Sequence, residues 1–245
     1  MSMQIKALPE ETYEGDGVVV NRLFPIAKCM NFDPFVLWDH FDIAPDHGFP
    51  EHPHRGFEAI TYMLSGSMHH KDNLGHDAWV EAGGAQVFCA GKGIRHSEMP
   101  GEKGNSTGIQ LWINLAKKDK SVAPSYQQIL AQQLPANYFE GGYSVDIVGN
   151  NSPIVLHTKI AYQHIYLEEN TQYCAPIKFE HNVIVYLLQG AIELEGQTLQ
   201  AKEAFMIEKF KAKELNIRAK QTCSFMLCSA LAHNEAIYQH GPFVD

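Results

Sequence analysis

Short apolar runs rich in Val, Ile, Phe, Tyr and Trp recur along the chain, broken by Gly, Asn, Asp or Pro at intervals of about 8 to 12 residues. The runs GVVVNRLF (17–24), FVLWDHF (35–41), FEAITYMLSG (57–66), AQVFCA (85–90) and TGIQLWINL (107–115) read as strands in the first half. HIYLEE (164–169), VIVYLLQG (183–190), ELNIRA (214–219) and SFMLCSA (224–230) do so in the second. Helical periodicity is confined to short stretches around Ser125 to Gln133 and Asn234 to Gln239. The pattern predicts an all-β protein with few short helices, built as sandwiches or barrels whose closure removes exposed edges.

The strand pattern also repeats. Ile60-Thr-Tyr-Met-Leu-Ser-Gly66 aligns with Ile184-Val-Tyr-Leu-Leu-Gln-Gly190 at an offset of 124. Val80-Glu-Ala-Gly-Gly-Ala-Gln-Val-Phe88 aligns with Leu199-Gln-Ala-Lys-Glu-Ala-Phe-Met-Ile207 at an offset of 119, as a shortened hairpin between the two blocks would produce. Two tandem β-barrels, residues 1–122 and 123–245, account for the 245 residues better than one large domain, and the charged stretch 117–128 suits a boundary.

Charge and composition narrow the function. The formal net charge of −9 divides almost evenly between the halves, so no basic face is expected to bind nucleic acid directly. Five cysteines form an odd set without a C-x-x-C pair and read as free thiols in a reducing compartment. The start carries no basic segment followed by an apolar one, and no apolar stretch approaches the roughly 20 residues needed to span a bilayer. A cytoplasmic protein without membrane association is the expectation.

Histidine is the abnormal residue: eight of the 13 fall between His40 and His96. Within that stretch, GFPEHPHRGFE (48–58) and AGKGIRHSEMP (90–100) each carry a pair of candidate ligands two residues apart. Residues i and i+2 of an extended chain share a face, so His52 with His54, and His96 with Glu98, would converge if the two strands are neighbours. Three imidazoles and one carboxylate suit Fe, Mn, Ni, Cu or Zn better than Ca or Mg, and they leave positions open on an octahedral ion. Glu58 shares the face of His54 by simple parity and is an alternative carboxylate ligand. The plainer alternative places His52 and His54 in a polar loop, with His96 and Glu98 pairing only with each other. At the repeat offsets the four positions become Pro176, Lys178, Leu215 and Ile217, so the second barrel is expected to hold no metal, with His181 a structural residue. His69, His70 and His76 flank a hairpin turn and read mainly as surface residues, one of which could join Asp72 in orienting a ligand.

At DPFVLWDHF (33–41), GFPEHPHRGFEAITYMLSGSM (48–68), AGKGIRHSEMP (90–100) and YQHGPFV (238–244) the sequence resembles the pirin family of two-barrel cupins. The resemblance implies a bicupin with one metal ion, iron in the first instance, held by His52, His54, His96 and Glu98, and it makes Glu58 a non-ligand. It implies a quercetin 2,3-dioxygenase-like activity on flavonol-type aromatic substrates and O₂, with Glu98 doubling as the catalytic base for the substrate hydroxyl. The alternative it carries is a metal- or redox-dependent regulator acting through a protein partner. The chain departs from the family in having Ala82-Gly83-Gly84 where Pro-Gly-Asp is usual, and in ending at Asp245 where many relatives continue into a helical tail.

Overall fold

The computed structural model describes residues 3–245. The first half contributes strands β1 (Gln4–Ala7), β2 (Glu10–Glu14), β3 (Val18–Phe24), β4 (Phe35–Ile43), β5 (Phe49–His54) and β6 (Phe57–Ser65). It continues through β7 (Ser67–Asp72), β8 (Asp77–Glu81), β9 (Ala85–Cys89), β10 (Ile94–Pro100), β11 (Ser106–Asn114) and β12 (Ser125–Ile129). The second half adds β13 (Ala136–Phe139), β14 (Gly142–Val148), β15 (Ile160–Leu167), β16 (Gln172–Pro176), β17 (His181–Gln189) and β18 (Ala191–Leu194). It closes with β19 (Gln197–Gln200), β20 (Ala204–Ile207), β21 (Glu214–Ala219), β22 (Cys223–Leu231) and a two-residue hairpin, β23 (Gln239–His240) and β24 (Phe243–Val244).

Each half builds the same pair of sheets. A seven-stranded sheet ordered β12-β9-β6-β11-β4-β3-β2 accompanies a four-stranded sheet, β5-β10-β7-β8. Their counterparts are β1-β20-β17-β22-β15-β14-β13 and β16-β21-β18-β19. The repeat read from the sequence is therefore structural: shifting β6 by 124 residues gives β17. The hairpin β18–β19 is five residues shorter than β7–β8, which accounts for the change of offset to 119. Gly66 and Gly190 hold the same turn with φ of +69° and +80°, where a side chain would meet backbone of the next connection.

The two compact units differ from a single cut after residue 122. One comprises Glu10–Gln133, Pro153–Thr158 and His233–Asp245; the other comprises the N-terminal residues through Pro9, Leu134–Ser152 and Lys159–Ala232. The outer strand of the second unit's large sheet is thus β1 from the start of the chain, paired to β20. In the first unit the same position is filled by β12, paired to β9. That pairing corrects the helix expected at Ser125 to Gln133, because the open edge of β9 offers a ladder and leaves only a 3₁₀ turn at Ala131–Gln133. No helix forms at Asn234 to Gln239 either. The amides of His233 and Asn234 donate to the Asp33 carboxylate, and the chain then enters the β23–β24 hairpin.

Exposure along the strands explains their pairing. β21, ELNIRA, alternates exposed and buried residues, the period-2 pattern of a strand with one wet face. β6, β17 and β22 are buried along most of their length, as expected at the middle of a sheet. The second barrel is filled by one apolar cluster that includes Leu215, Ile217, Phe205 and Phe225. No helix among the described residues is long and apolar enough to cross a membrane.

Candidate metal centre

β5 and β10 are hydrogen-bonded neighbours, with His96 directly opposite His52 and Ile94 opposite His54. A bulge between His96 and Glu98 inserts an extra residue on β5, so that Glu98 faces Phe49. β10 alternates cleanly, burying Ile94, His96, Glu98 and Pro100 on one face. The three rings His52, His54 and His96 lie with centroids 4.5 to 4.9 Å apart, and one nitrogen from each falls in a group spanning no more than 4.8 Å. Glu98 falls in a second, overlapping group with His96 and His70.

The ring nitrogens of this cluster are divided by role. Nδ1 of His52 donates to the Pro50 carbonyl at 2.7 Å, and Nδ1 of His54 donates to the Pro242 carbonyl at 3.3 Å. A carbonyl only accepts, so Nδ1 is the donor on both rings and Nε2 is the nitrogen left for another partner. His96 has Nδ1 3.4 Å from Nδ1 of His70, while its own Nε2 is buried with no hydrogen-bond partner. Burial first, then the neighbouring imidazoles, pushes His54 down to about 3 and His96 well below its ordinary value. Both rings are neutral at pH 7, the form in which imidazole ligates.

Glu98 is buried and held by three donors. The amide of Gln86 and the Thr61 hydroxyl, 3.2 Å away, donate to Oε1, and Gln110 Nε2 donates to Oε2 at 3.0 Å. Gln110 is itself oriented by Trp112 Nε1, which donates to its carbonyl oxygen at 3.2 Å. A cavity of about 550 Å³ opens on His52, His54, Glu98 and Gln110 and is walled by Met30, Leu37, Phe49 and Trp112. The one guanidinium on its lining, Arg22, donates to Asp39 at 2.8 and 2.6 Å and pairs with Glu14 at 2.7 Å. Burial pushes Asp39 up to about 6 against the pull of that guanidinium. Gln239, Gly241 and Pro242 from the chain's end complete the wall.

These side chains fit a divalent ion: three imidazoles converge, two of them held neutral by burial, one presents an orphaned buried nitrogen, and a buried carboxylate borders the cavity. At the equivalent positions of the second barrel, Leu215 and Ile217 belong to the apolar core. His181 makes a local contact with Ser229 there.

Two readings of the sequence need correction. Parity from His54 to Glu58 does not survive the turn at Arg55 and Gly56, where Gly56 takes φ of +87°. Glu58 instead joins Cys89 and His157, accepting hydrogen bonds from the His157 and Thr158 amides and from His157 Nδ1 at 2.9 to 3.1 Å. Burial, reinforced by the Glu58 charge, pushes the Cys89 thiol up to about 12, so it stays protonated. Replacing Glu58 with alanine strands the buried Thr158 amide and removes the partner of the part-buried His157 amide, and is expected to cost about 2–4 kcal/mol of stability while leaving metal content unchanged. Denaturant titration beside elemental analysis checks both halves; lost metal would place Glu58 in the site after all.

The second correction concerns His70, which is completely buried rather than on the hairpin surface. His69 stacks on Trp79 and His76 is half exposed, as turn-flanking residues should be. Gln86 and Gln110 escaped notice, although a lone glutamine inside an apolar strand such as AQVFC or TGIQLWINL is a visible signal. Pro242 offered none, because it acts through its backbone carbonyl across 188 residues of sequence.

Two cupin-type barrels, one of them carrying a histidine-lined cavity, define the class as bicupin. Residues 17–113 match the family model for pirin, and residues 162–245 match that for the pirin C-terminal cupin domain. The chain belongs to the pirin family. A pirin-like protein from Solanum lycopersicum is 35% identical, across 98% of this chain and 84% of its own. Among solved structures, a quercetin 2,3-dioxygenase from Acinetobacter baumannii superposes with a TM-score of 0.91 at 25% identity, covering 100% of this chain and 92% of that one. A bacterial pirin from Escherichia coli in complex with nickel(II) gives 0.79 at 21% identity, covering 94% and 100% respectively.

Proposed function

We propose that this pirin is a metal-dependent dioxygenase of the quercetin 2,3-dioxygenase type, with a single divalent ion held by His52, His54, His96 and Glu98. The observation that carries the reading is the convergence of three imidazoles, with a buried carboxylate, on a cluster that His52, His54 and Glu98 open to a cavity. The similarity to a quercetin 2,3-dioxygenase supports the substrate class. When bound, an ion of this kind supplies Lewis acidity toward an enol oxygen and a redox partner for O₂. Iron leads among candidate metals on family grounds, and the E. coli relative holds nickel.

The chain's own contributions follow from the lining. A volume of about 550 Å³ lies within the range of small-molecule sites, roughly 300–1,000 Å³. Met30, Leu37, Phe49 and Trp112 offer apolar walls to a planar aromatic ligand and exclude water from it. The Arg22 charge is already compensated by two carboxylates, so the lining favours an uncharged phenol over an organic acid. Glu98 is the base: its carboxylate receives the flavonol 3-hydroxyl proton, while Gln86 and Gln110 hold it in position.

Oxygen uptake with quercetin, measured on protein loaded separately with iron, manganese and nickel, tests this. The expected result is flavonol-dependent consumption of one O₂ per flavonol with at least one metal, abolished in Glu98→Gln. Stoichiometric metal binding without turnover for any of the three would overturn the dioxygenase reading and favour a metal-dependent regulator acting through a protein partner.

A further inference from the structure

His96 differs from the other two imidazoles. The Nδ1 partners of His52 and His54 are carbonyls, which can only accept, whereas that of His96 is another histidine, which can donate or accept. The tautomer of His96 therefore depends on His70, and the tautomer of His70 is set one step further out. Its Nε2 lies 3.2 Å from Oδ2 of Asp72, whose side chain is completely covered. Asp72 faces donors throughout: Oδ1 accepts from the Leu74 and His76 amides at 2.9 and 3.0 Å, and Oδ2 also meets His76 Nδ1 at 2.8 Å.

An ionised carboxylate cannot donate, so Nε2 of His70 carries a proton, and in the neutral ring that is its one proton. Nδ1 of His70 is then a lone pair, Nδ1 of His96 must carry a proton, and the orphaned Nε2 of His96 is left as a lone pair for the ion. Tyr126 stacks on His70 at 4.1 Å between centroids and fixes its plane. We propose that Asp72 and His70 are positioning residues that set the tautomer of His96 through a one-way chain of hydrogen bonds, and so determine whether the site can bind its metal. The inference deepens the four-ligand reading and rests on it.

Asp72→Asn tests the direction of the chain. Asparagine retains an acceptor for the Leu74 and His76 amides but puts an NH₂ donor where Oδ2 stood. His70 must then accept at Nε2 and donate from Nδ1, which reverses His96 and puts a proton on its Nε2. Imidazole ¹⁵N NMR of the metal-free protein should show His96 as the Nδ1–H tautomer in the wild type and as the Nε2–H tautomer in Asp72→Asn. Competition with a chelator should show nickel affinity reduced by about 10–100-fold.

His70→Phe and His70→Asn supply the second comparison. Phenylalanine fills the space without an acceptor and should weaken nickel binding, whereas asparagine places an amide oxygen near Nδ1 of His70 and should recover most of the affinity. A purely structural role for His70 would give no such difference. An unchanged His96 tautomer in Asp72→Asn, or equal nickel affinity in His70→Phe and His70→Asn, overturns the proposal. If the wild type binds no nickel, the four-ligand reading fails, and the metal-free NMR comparison still decides the tautomer chain.

Discussion

Replacing His54 with alanine is expected to reduce divalent metal affinity by at least about a hundredfold, the upper end of what losing an outer-shell partner alone costs. His54 is more deeply buried than His52, its Nδ1 meets the Pro242 carbonyl, and its ring packs between His52, His96, Trp112 and Phe88. Solvent cannot restore so ordered an imidazole. His181→Ala is the matched control, because it lies in the second barrel where Leu215 and Ile217 occupy the ligand positions, and it should bind metal like the wild type. Normal metal content in His54→Ala, or two ions per wild-type chain, would refute the one-site assignment.

The same substitution has a signature in the metal-free protein. His54 is pushed down to about 3 in the folded state and titrates near 6.5 when unfolded, so the unfolded chain takes up the proton first. Its contribution to stability is complete above pH 6.5 and is lost as the pH falls towards 3, on the order of 5 kcal/mol from this ring. His54→Ala should flatten that acid limb, leaving the share that belongs to buried His96. An acid limb of unchanged steepness would show that the ring is protonated without penalty in the fold.

How much of this was legible depended on whether a signal was local. The offsets of 124 and 119 place β6 on β17 and β9 on β20 because each repeated block carries its own apolar pattern and turn glycine. Strand parity likewise put His52 with His54 and His96 with Glu98, since that face is set by neighbours in sequence. Parity failed at Glu58 because a turn at Gly56 intervenes, and a face can be counted only within one strand. The exchange of outer strands, with β1 serving the second unit and β12 the first, is an edge pairing between distant segments and leaves no trace in either. His70 was misjudged for a similar reason: its sequence neighbours mark a hairpin, while its burial comes from His96 and Tyr126.

The end of the chain bears on the site through one glycine. Gly56 turns the chain between β5 and β6 at φ of +87°, and an added Cβ would run into the Val244 carbonyl. That carbonyl is part of a knot: Lys120 Nζ donates to it at 2.7 Å, to the Gly56 carbonyl at 2.9 Å and to Asn114 Oδ1 at 2.6 Å. Beside it, the Val244 amide donates to the Arg55 carbonyl at 3.0 Å, and the preceding Pro242 carbonyl accepts from His54. Gly56→Ala adds an unfavourable backbone angle to a backbone clash, with no flexible side chain to give way, and should cost about 3 kcal/mol or more. It should also lift residues 242–244 and leave His54 Nδ1 without its acceptor, lowering metal affinity by about tenfold. Arg55→Ala is the informative contrast, because its ion pair with Asp245 is solvent-exposed and screened, so its loss should change stability little. A Gly56→Ala protein that unfolds at the wild-type denaturant midpoint and binds metal normally would show that the tail is not fastened at this corner. Loss of both in Gly56→Ala, with neither in Arg55→Ala, assigns the coupling to the buried backbone contact.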